Sequence, residues 1–263
     1  MTSKSSNSII GPMSRSGSGH FDPQKFIQKY ENVYKTSSNR SGFKTKKTFS
    51  PSTLGWNHGT CPRFWFIAFS GAEFVEDVDS KAQANMDNGS YSHERIQKTM
   101  KQMGIVKEIE LEIKSDDPPI RGFVDVVIDW EGKDIPGEIK TANDGSFVFR
   151  TTSGKPSPSH YVQFLIYLKV LKAEEGFLMY ENKNTQEVLI IPVSANTKTK
   201  KDVAYLFDWM RNTRAAFDEG TLPTRPWKRK NAKVCNACPV QGECYERFEE
   251  GVVTLPVLEV PKP

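Results

Sequence analysis

Arg121-Gly-Phe-Val-Asp125-Val-Val-Ile-Asp-Trp130-Glu-Gly-Lys-Asp-Ile135-Pro-Gly-Glu138-Ile139-Lys140-Thr141 reads as a β-hairpin. Its first arm, 122–130, is rich in Val, Ile, Phe and Trp, and Glu131-Gly132-Lys133-Asp134 carries turn chemistry. Alternate side chains of a strand share a face, so Glu138 and Lys140 point one way while Ile139 points into the core. With Asp125 opposite them on the neighbouring strand, two carboxylates and one ammonium converge. Carboxylates a few ångströms apart repel unless a cation lies between them, and hard oxygen ligands suit Mg²⁺ or Mn²⁺. Taken alone, Asp125 and Glu138 read as solvated charges on an exposed hairpin, and the rest of the chain decides against that. Pro136 cannot donate to a ladder, which places the start of the second arm at a sheet edge or a bulge.

The chain of 263 residues carries 36 Lys and Arg against 32 Asp and Glu, a formal charge of +4. That length suits one large domain or a core with appendages, and the charge allows a basic patch but not a histone-like polycation. There is no apolar run of about 18 residues, and the first 20 residues lack the apolar core of a signal peptide. The expectation is a soluble cytoplasmic protein with no membrane partner. Cys61, Cys235, Cys238 and Cys244 are its cysteines, three of them within ten residues. That spacing makes a poor disulfide framework and a good metal-ligand cluster.

Residues 1–20, rich in Ser and Gly, read as a disordered tail. Asp22 and Pro23 open a helix with a stripe at Phe26, Ile27, Tyr30, Val33 and Tyr34. Residues 37–49 read as a basic loop whose Lys44, Lys46 and Lys47 are solvated or touch a nucleic-acid backbone. Ser50-Pro51 starts a helix running through Trp56 toward Cys61, and the aromatic run 64–69 is core. Residues 80–103 form a helix ended by Gly104, with Gly89 and His93 on one face, where the glycine admits a close neighbour. On spacing alone, His93 is a structural histidine or a ligand.

Residues 105–114 alternate as a strand with one solvated face, and 143–159 read as a loop mobile over a substrate. A helix over 160–173 puts Gln163 and Tyr167 on one face, strands follow at 176–180 and 187–193, and a helix spans 196–218 before Gly220. The expected organisation is a single domain over 21–250, with 50–80 and 220–247 forming a cysteine-bearing subdomain and 251–263 a C-terminal tail.

Cys235-x2-Cys238-x5-Cys244 supplies three thiolates from one loop, and Cys61 is the remaining candidate for a fourth. An all-cysteine site follows, for iron–sulfur or for zinc.

The succession Cys61, Gly89-x3-His93, Gly122-x2-Asp125, Glu138-x-Lys140, Gln163-x3-Tyr167 and C-x2-C-x5-C resembles the RecB-like branch of the PD-(D/E)XK nucleases. More narrowly, it is similar to the iron–sulfur exonucleases related to the CRISPR-associated adaptation nuclease and to phage homologues, over about residues 50–247. The resemblance implies an α/β fold, a mixed central sheet flanked by helices with an αβββαβ core. It implies that His93, Asp125, Glu138 and the Ile139 carbonyl hold Mg²⁺ or Mn²⁺, that Lys140 is the catalytic lysine, and that Gln163 and Tyr167 position substrate or lysine. The four cysteines would hold a [4Fe-4S] cluster, with Zn²⁺ as the alternative. The expected activity is metal-dependent DNA exonuclease action, on single-stranded ends, in a bacterial or phage-infected cell with a helicase or recombination partner. A structure-specific endonuclease, an RNase or a non-catalytic nucleic-acid-binding protein are the other readings.

Overall fold

The computed structural model describes residues 21–38, 42–76, 78–227 and 232–263. The tail expected at 1–20 lies outside them. In chain order the elements are α1 (Pro23–Ser38), β1 (Gly42–Lys44), α2 (Pro51–Leu54), a 3₁₀ turn at Asn57–Thr60, α3 (Pro62–Ser70) and β2 (Ala72–Phe74). Then come α4 (Ser80–Gln102), β3 (Val106–Asp116), β4 (Pro119–Trp130), β5 (Lys133–Ala142), α5 (Asp144–Ser153) and α6 (Pro158–Leu171). The chain closes with β6 (Glu175–Asn182), β7 (Val188–Ser194), α7 (Thr197–Asp218), α8 (Lys233–Asn236) and α9 (Gln241–Glu246).

The 121–141 stretch is the hairpin its composition calls for: β4 and β5 pair antiparallel from Trp130↔Lys133 back to Val126↔Gly137. The main sheet has the order β3-β4-β5-β6-β7, with β5 and β6 parallel and the other neighbours antiparallel. Only a parallel pair needs a crossover, and α6 lies within it. Apolar residues cover both sheet faces. On one side Phe64, Trp65, Leu165, Leu178 and Leu206 belong to the larger core, and on the other Ile96 and Met100 of α4 pack on Val126, Ile139 and Met179. The result is a mixed sheet flanked by helices, with α4-β3-β4-β5-α6-β6 in the expected order. No helix among the described residues is long and apolar enough to cross a membrane.

Several local expectations are corrected. β5 is the middle strand of its sheet, not an edge. Pro136 is tolerated because pairing with β6 begins one residue later, at Gly137↔Phe177. Residues 144–153 are a helix rather than a mobile loop: the Asn143 side chain accepts from the Ser146 N–H, Phe147 is buried, and Gly154 closes the helix at φ 65°. Among the described residues no atom of another element lies within 4 Å of where a Cβ on Gly89 would stand, so the close neighbour expected there is not found. The aromatic stripe of α1 is largely exposed at Phe26, Tyr30 and Val33. The helix at Pro51 stops at Leu54 before the separate 3₁₀ turn, and the basic loop contains β1, which pairs with β2. Lys44 there pairs with Glu76, and Lys46 lies over the Trp65 ring. The C-terminal segment lies along the domain: Leu258 is buried and its N–H donates to the Thr60 carbonyl, while Trp209 Nε1 donates to the Pro256 carbonyl.

Candidate active site

The register across three strands places acids side by side. Ile109 pairs with Val126 and Leu111 with Val124, which leaves Glu110 opposite Asp125. Val126 pairs with Gly137, which brings Asp125 level with Glu138 on the other side. Like charges directly opposite in a sheet repel, so this row is unfavourable without a compensating cation. His93 approaches from α4, its Nδ1 3.8 Å from Asp125 Oδ2. Ligand atoms of His93, Glu110 and Asp125 lie within 4.8 Å of one another.

Each acid is fixed by the fold. Asp125 Oδ2 accepts the Ile139 N–H at 2.6 Å, a bond that locks β4 to β5 at the site. Gln97 Nε2 donates to the Asp125 carbonyl at 2.9 Å and to Glu110 Oε1 at 3.2 Å, which ties α4 to β3 and β4. Glu110 has φ 53°, an uncommon conformation for a strand residue. Glu138, 1 % exposed, accepts from Lys140 Nζ at 2.5 Å and from Gln163 Nε2 at 2.7 Å, both through Oε1. Its Oε2 is buried and makes no hydrogen bond within the protein. Gln163 Nε2 also lies 2.9 Å from Tyr167 Oη, so α6 carries a relay from Tyr167 to Gln163 to Glu138. Tyr167 fits because Gly122 lacks a side chain: a Cβ there would stand 3.2 Å from both Tyr167 Cε1 and Pro51 Cδ.

Burial lifts the Glu138 carboxyl to about 8; Lys140 opposes the rise and Asp125 and Glu110 add to it. Burial also pulls Lys140 down, but Glu138 and Asp125 outweigh it and its pKa ends above the ordinary value, so it is an ammonium. Burial, reinforced by Glu138, raises Tyr167, which keeps its phenol protonated. With Asp125 and Glu138 both ionised, one ammonium faces two buried carboxylates and Glu110 adds a third negative charge. An orphaned, buried carboxylate oxygen and this excess charge suit a hard divalent cation. His93, Glu110 and Asp125 are placed to hold one, with Glu138 beside them. The structure thus brings Asp125, Glu138, Lys140, Gln163, Tyr167 and His93 together. Ile139 contributes through its N–H to Asp125; its carbonyl has no described role. Glu110 is the site residue missing from the sequence-based set.

The cysteines meet at a second place. Cys61 caps α3, and Cys61, Cys235, Cys238 and Cys244 all line one cavity with His58 and Arg225. Burial raises the Cys61 thiol to about 12 and pushes Cys235 and Cys238 upward as well. Arg63 is 1 % exposed and donates Nε to Cys244 Sγ at 3.2 Å, its other donors going to the carbonyls of Pro223, Cys244, Phe248 and Glu249. Among the described residues Arg63 makes no direct ion pair, so ionised thiols would give its buried guanidinium an anion in contact. His58 Nδ1 and Arg225 Nε are buried without hydrogen-bond partners, and burial lowers His58 to about 4. These observations fit a thiolate-bound metal centre. Four thiolates on one zinc at about 2.3 Å would draw the sulfurs to roughly 3.8 Å from each other. Among the described residues no cysteine triplet lies within 4.8 Å.

No family model matches the sequence. Solved structures similar to it in chain path include the following. A structure of SSO0001 is 18% identical, covers 86% of this chain and 98% of its own, and superposes with a TM-score of 0.44. LHK-Exo in complex with dAMP is 12% identical over 66% of this chain and 89% of its own, with a TM-score of 0.49. An alkaline exonuclease (LHK-Exo) from Laribacter hongkongensis is 11% identical over 72% of this chain and 95% of its own, with a TM-score of 0.45. Likeness of this depth bears on neither activity nor site residues, which rest on the geometry above.

Proposed function

We propose that the protein is a metal-dependent nuclease that hydrolyses DNA phosphodiester bonds, on a PD-(D/E)XK-like site. The reading is carried by one observation: Glu110, Asp125 and Glu138 stand abreast in three strands, with Lys140 on Glu138 and a buried Glu138 oxygen that no donor satisfies. His93, Glu110, Asp125 and Glu138 would hold Mg²⁺ or Mn²⁺. Bound there, the cation would supply Lewis-acid activation of water and neutralise charge at the phosphate. Lys140 contributes a fixed ammonium toward the phosphoryl oxygens that gain charge in the transition state. Gln163, backed by Tyr167, keeps the Glu138 carboxylate in one orientation. A [4Fe-4S] cluster is the proposed occupant of the cysteine site, with one zinc ion as the alternative that four thiolates also suit.

Incubation with Mg²⁺ or Mn²⁺ and end-labelled single-stranded, duplex and circular DNA tests the activity. Cleavage that EDTA stops, and that Asp125→Ala, Glu138→Ala and Lys140→Ala each reduce by at least about 100-fold, is the expected result. Undiminished cleavage by folded Glu138→Ala protein overturns the assignment.

A further inference from the structure

Past Lys140, β5 continues through Thr141 and Ala142 into the wall of a separate cavity of about 320 Å³. Arg150 of α5, His160 of α6, Tyr180 of β6, Lys183, Asn85 and Asn143 form much of the remaining wall. It carries two formal positive charges and no carboxylate. Arg150 donates to the Ser146 carbonyl at 2.6 Å and lies 4.8 Å from the Tyr180 ring centroid, and its buried Nε makes no hydrogen bond. Lys183 Nζ reaches only Asn85 Oδ1, at 3.2 Å, among the described side chains. The acids flanking the cavity in sequence are engaged elsewhere: Asp144 accepts from Asn182 Nδ2 at 3.0 Å and Glu181 from Arg95 at 2.6 Å. The cavity wall itself thus holds a guanidinium and an ammonium and no carboxylate, with Asp144 beside it bonded to the neutral Asn182 amide.

The neutral part of the wall is polar as well. Tyr180 Oη accepts the Ser157 N–H at 3.1 Å and stands 2.9 Å from His160 Nδ1. The proton between them sits on either atom according to the imidazole tautomer. Burial, with Lys140 and Arg150 adding, pushes His160 down to about 3, so the imidazole is neutral. Thr141 and Ala142 are one and two strand positions beyond Lys140, roughly 3–7 Å along β5. On the far side, Lys183 is shared with a second cavity lined by Tyr91, which is 70% exposed, and by the Arg95–Glu181 ion pair, which adds no net charge. Arg150, Lys183 and the exposed Tyr91 ring succeed one another along this path, an order that suits a polynucleotide strand better than an isolated anion.

We propose that this cavity binds an internal phosphodiester of the DNA strand, next to the one acted on at Lys140, with Arg150 and Lys183 as its cationic contacts. This rests on the nuclease reading above. The test is fluorescence anisotropy with a labelled ten-residue oligodeoxythymidylate, in EDTA so that no cleavage occurs, from 50 to about 300 mM NaCl. Arg150→Gln and Lys183→Gln should each weaken binding about five- to tenfold at the lowest salt. Each should also flatten the slope of log affinity against log salt by about 0.7, the contribution of one phosphate on a single strand. Arg150→Lys, which keeps the charge, should restore the slope. Affinity within twofold of the parent and an unchanged slope for folded Lys183→Gln overturn the proposal, as does weakening without a slope change. Hydrolysis of bis(p-nitrophenyl) phosphate by the unmodified protein with Mn²⁺ is measured alongside. Its absence would count against the nuclease reading and leave the anisotropy result to judge the cavity by itself.

Discussion

A carboxyl held at about 8 by burial ties the chemistry of Glu138 to pH in two opposed ways. Its folded pKa lies above the ordinary 4.5, so the metal-free fold prefers the protonated form. The stabilisation is fully present below about pH 4.5 and is lost as pH rises through about 8. Metal-free protein should therefore lose melting temperature over that window, and Glu138→Gln should abolish most of that loss while removing activity. Thermal denaturation of both proteins in EDTA from pH 5 to about 9 checks this, and parallel curves would refute it. A cation needs the ionised form, so cleavage at subsaturating Mg²⁺ should climb as pH rises toward 8 and flatten beyond, a profile that Glu110→Gln should shift toward higher metal concentration by about tenfold. Asp125, Glu138 and Lys140 were legible because a hairpin brings them together over a few residues. Glu110 was not: in Glu108-Ile-Glu110-Leu-Glu112 it is one of three alternating glutamates that read as a solvated face, and only the long-range register opposite Asp125 singles it out.

The junction of β5 with β6 is where the site depends on secondary structure as a unit. Gly137 precedes Glu138 and faces Phe177, whose Cζ would lie 2.2 Å from a Cβ at that position. Gly137→Ala must displace the ring or part the strands, and should cost about 1–3 kcal/mol. Phe177→Leu in the same protein should recover part of the loss, since the branched chain leaves room. Denaturant melts of the two single variants and the double form a cycle, and purely additive effects would show that the ring does not meet the new methyl group. Helices with a strong periodic face, such as α6 and α7, were legible from spacing. α5 was missed because Asp144-Gly-Ser and Thr151-Thr-Ser-Gly surround only three apolar residues, Phe147, Val148 and Phe149, while its Asn143 cap and Gly154 stop resemble turn residues. Pro136 misled for a related reason: edge and interior cannot be told apart until β6, some forty positions later, is seen to begin pairing at Gly137.

Across the whole molecule, one guanidinium joins the two ends of the domain. Arg63, on the first turn of α3, bonds to Pro223, Cys244, Phe248 and Glu249, while the neighbouring Cys61 faces Cys235, Cys238 and Cys244 across their shared cavity. The cysteine pattern made that meeting legible; the part played by Arg63, Arg225 and His58 was not, because nothing in local spacing pairs a residue near 60 with a tail near 245. The closure spans more than 150 residues, but closure entropy grows only as the logarithm of length, so ligation and a handful of buried hydrogen bonds suffice to offset it. Arg63→Gln strips the guanidinium from four carbonyls and a sulfur, and should cost about 3 kcal/mol or more, a fall of roughly 6–12 °C in melting temperature. Cys61→Ser should lose the bound metal as completely as Cys238→Ser does. Both Arg63→Gln and Cys61→Ser should expose 232–250 to limited proteolysis, whereas Asp125→Asn should leave that segment protected. Iron, zinc and sulfide analysis of anaerobically purified protein identifies the occupant. Iron with acid-labile sulfide supports the cluster, one zinc per chain without iron replaces it and leaves the closure standing, and a Cys61→Ser protein that keeps both its metal and its protected tail removes Cys61 from the centre.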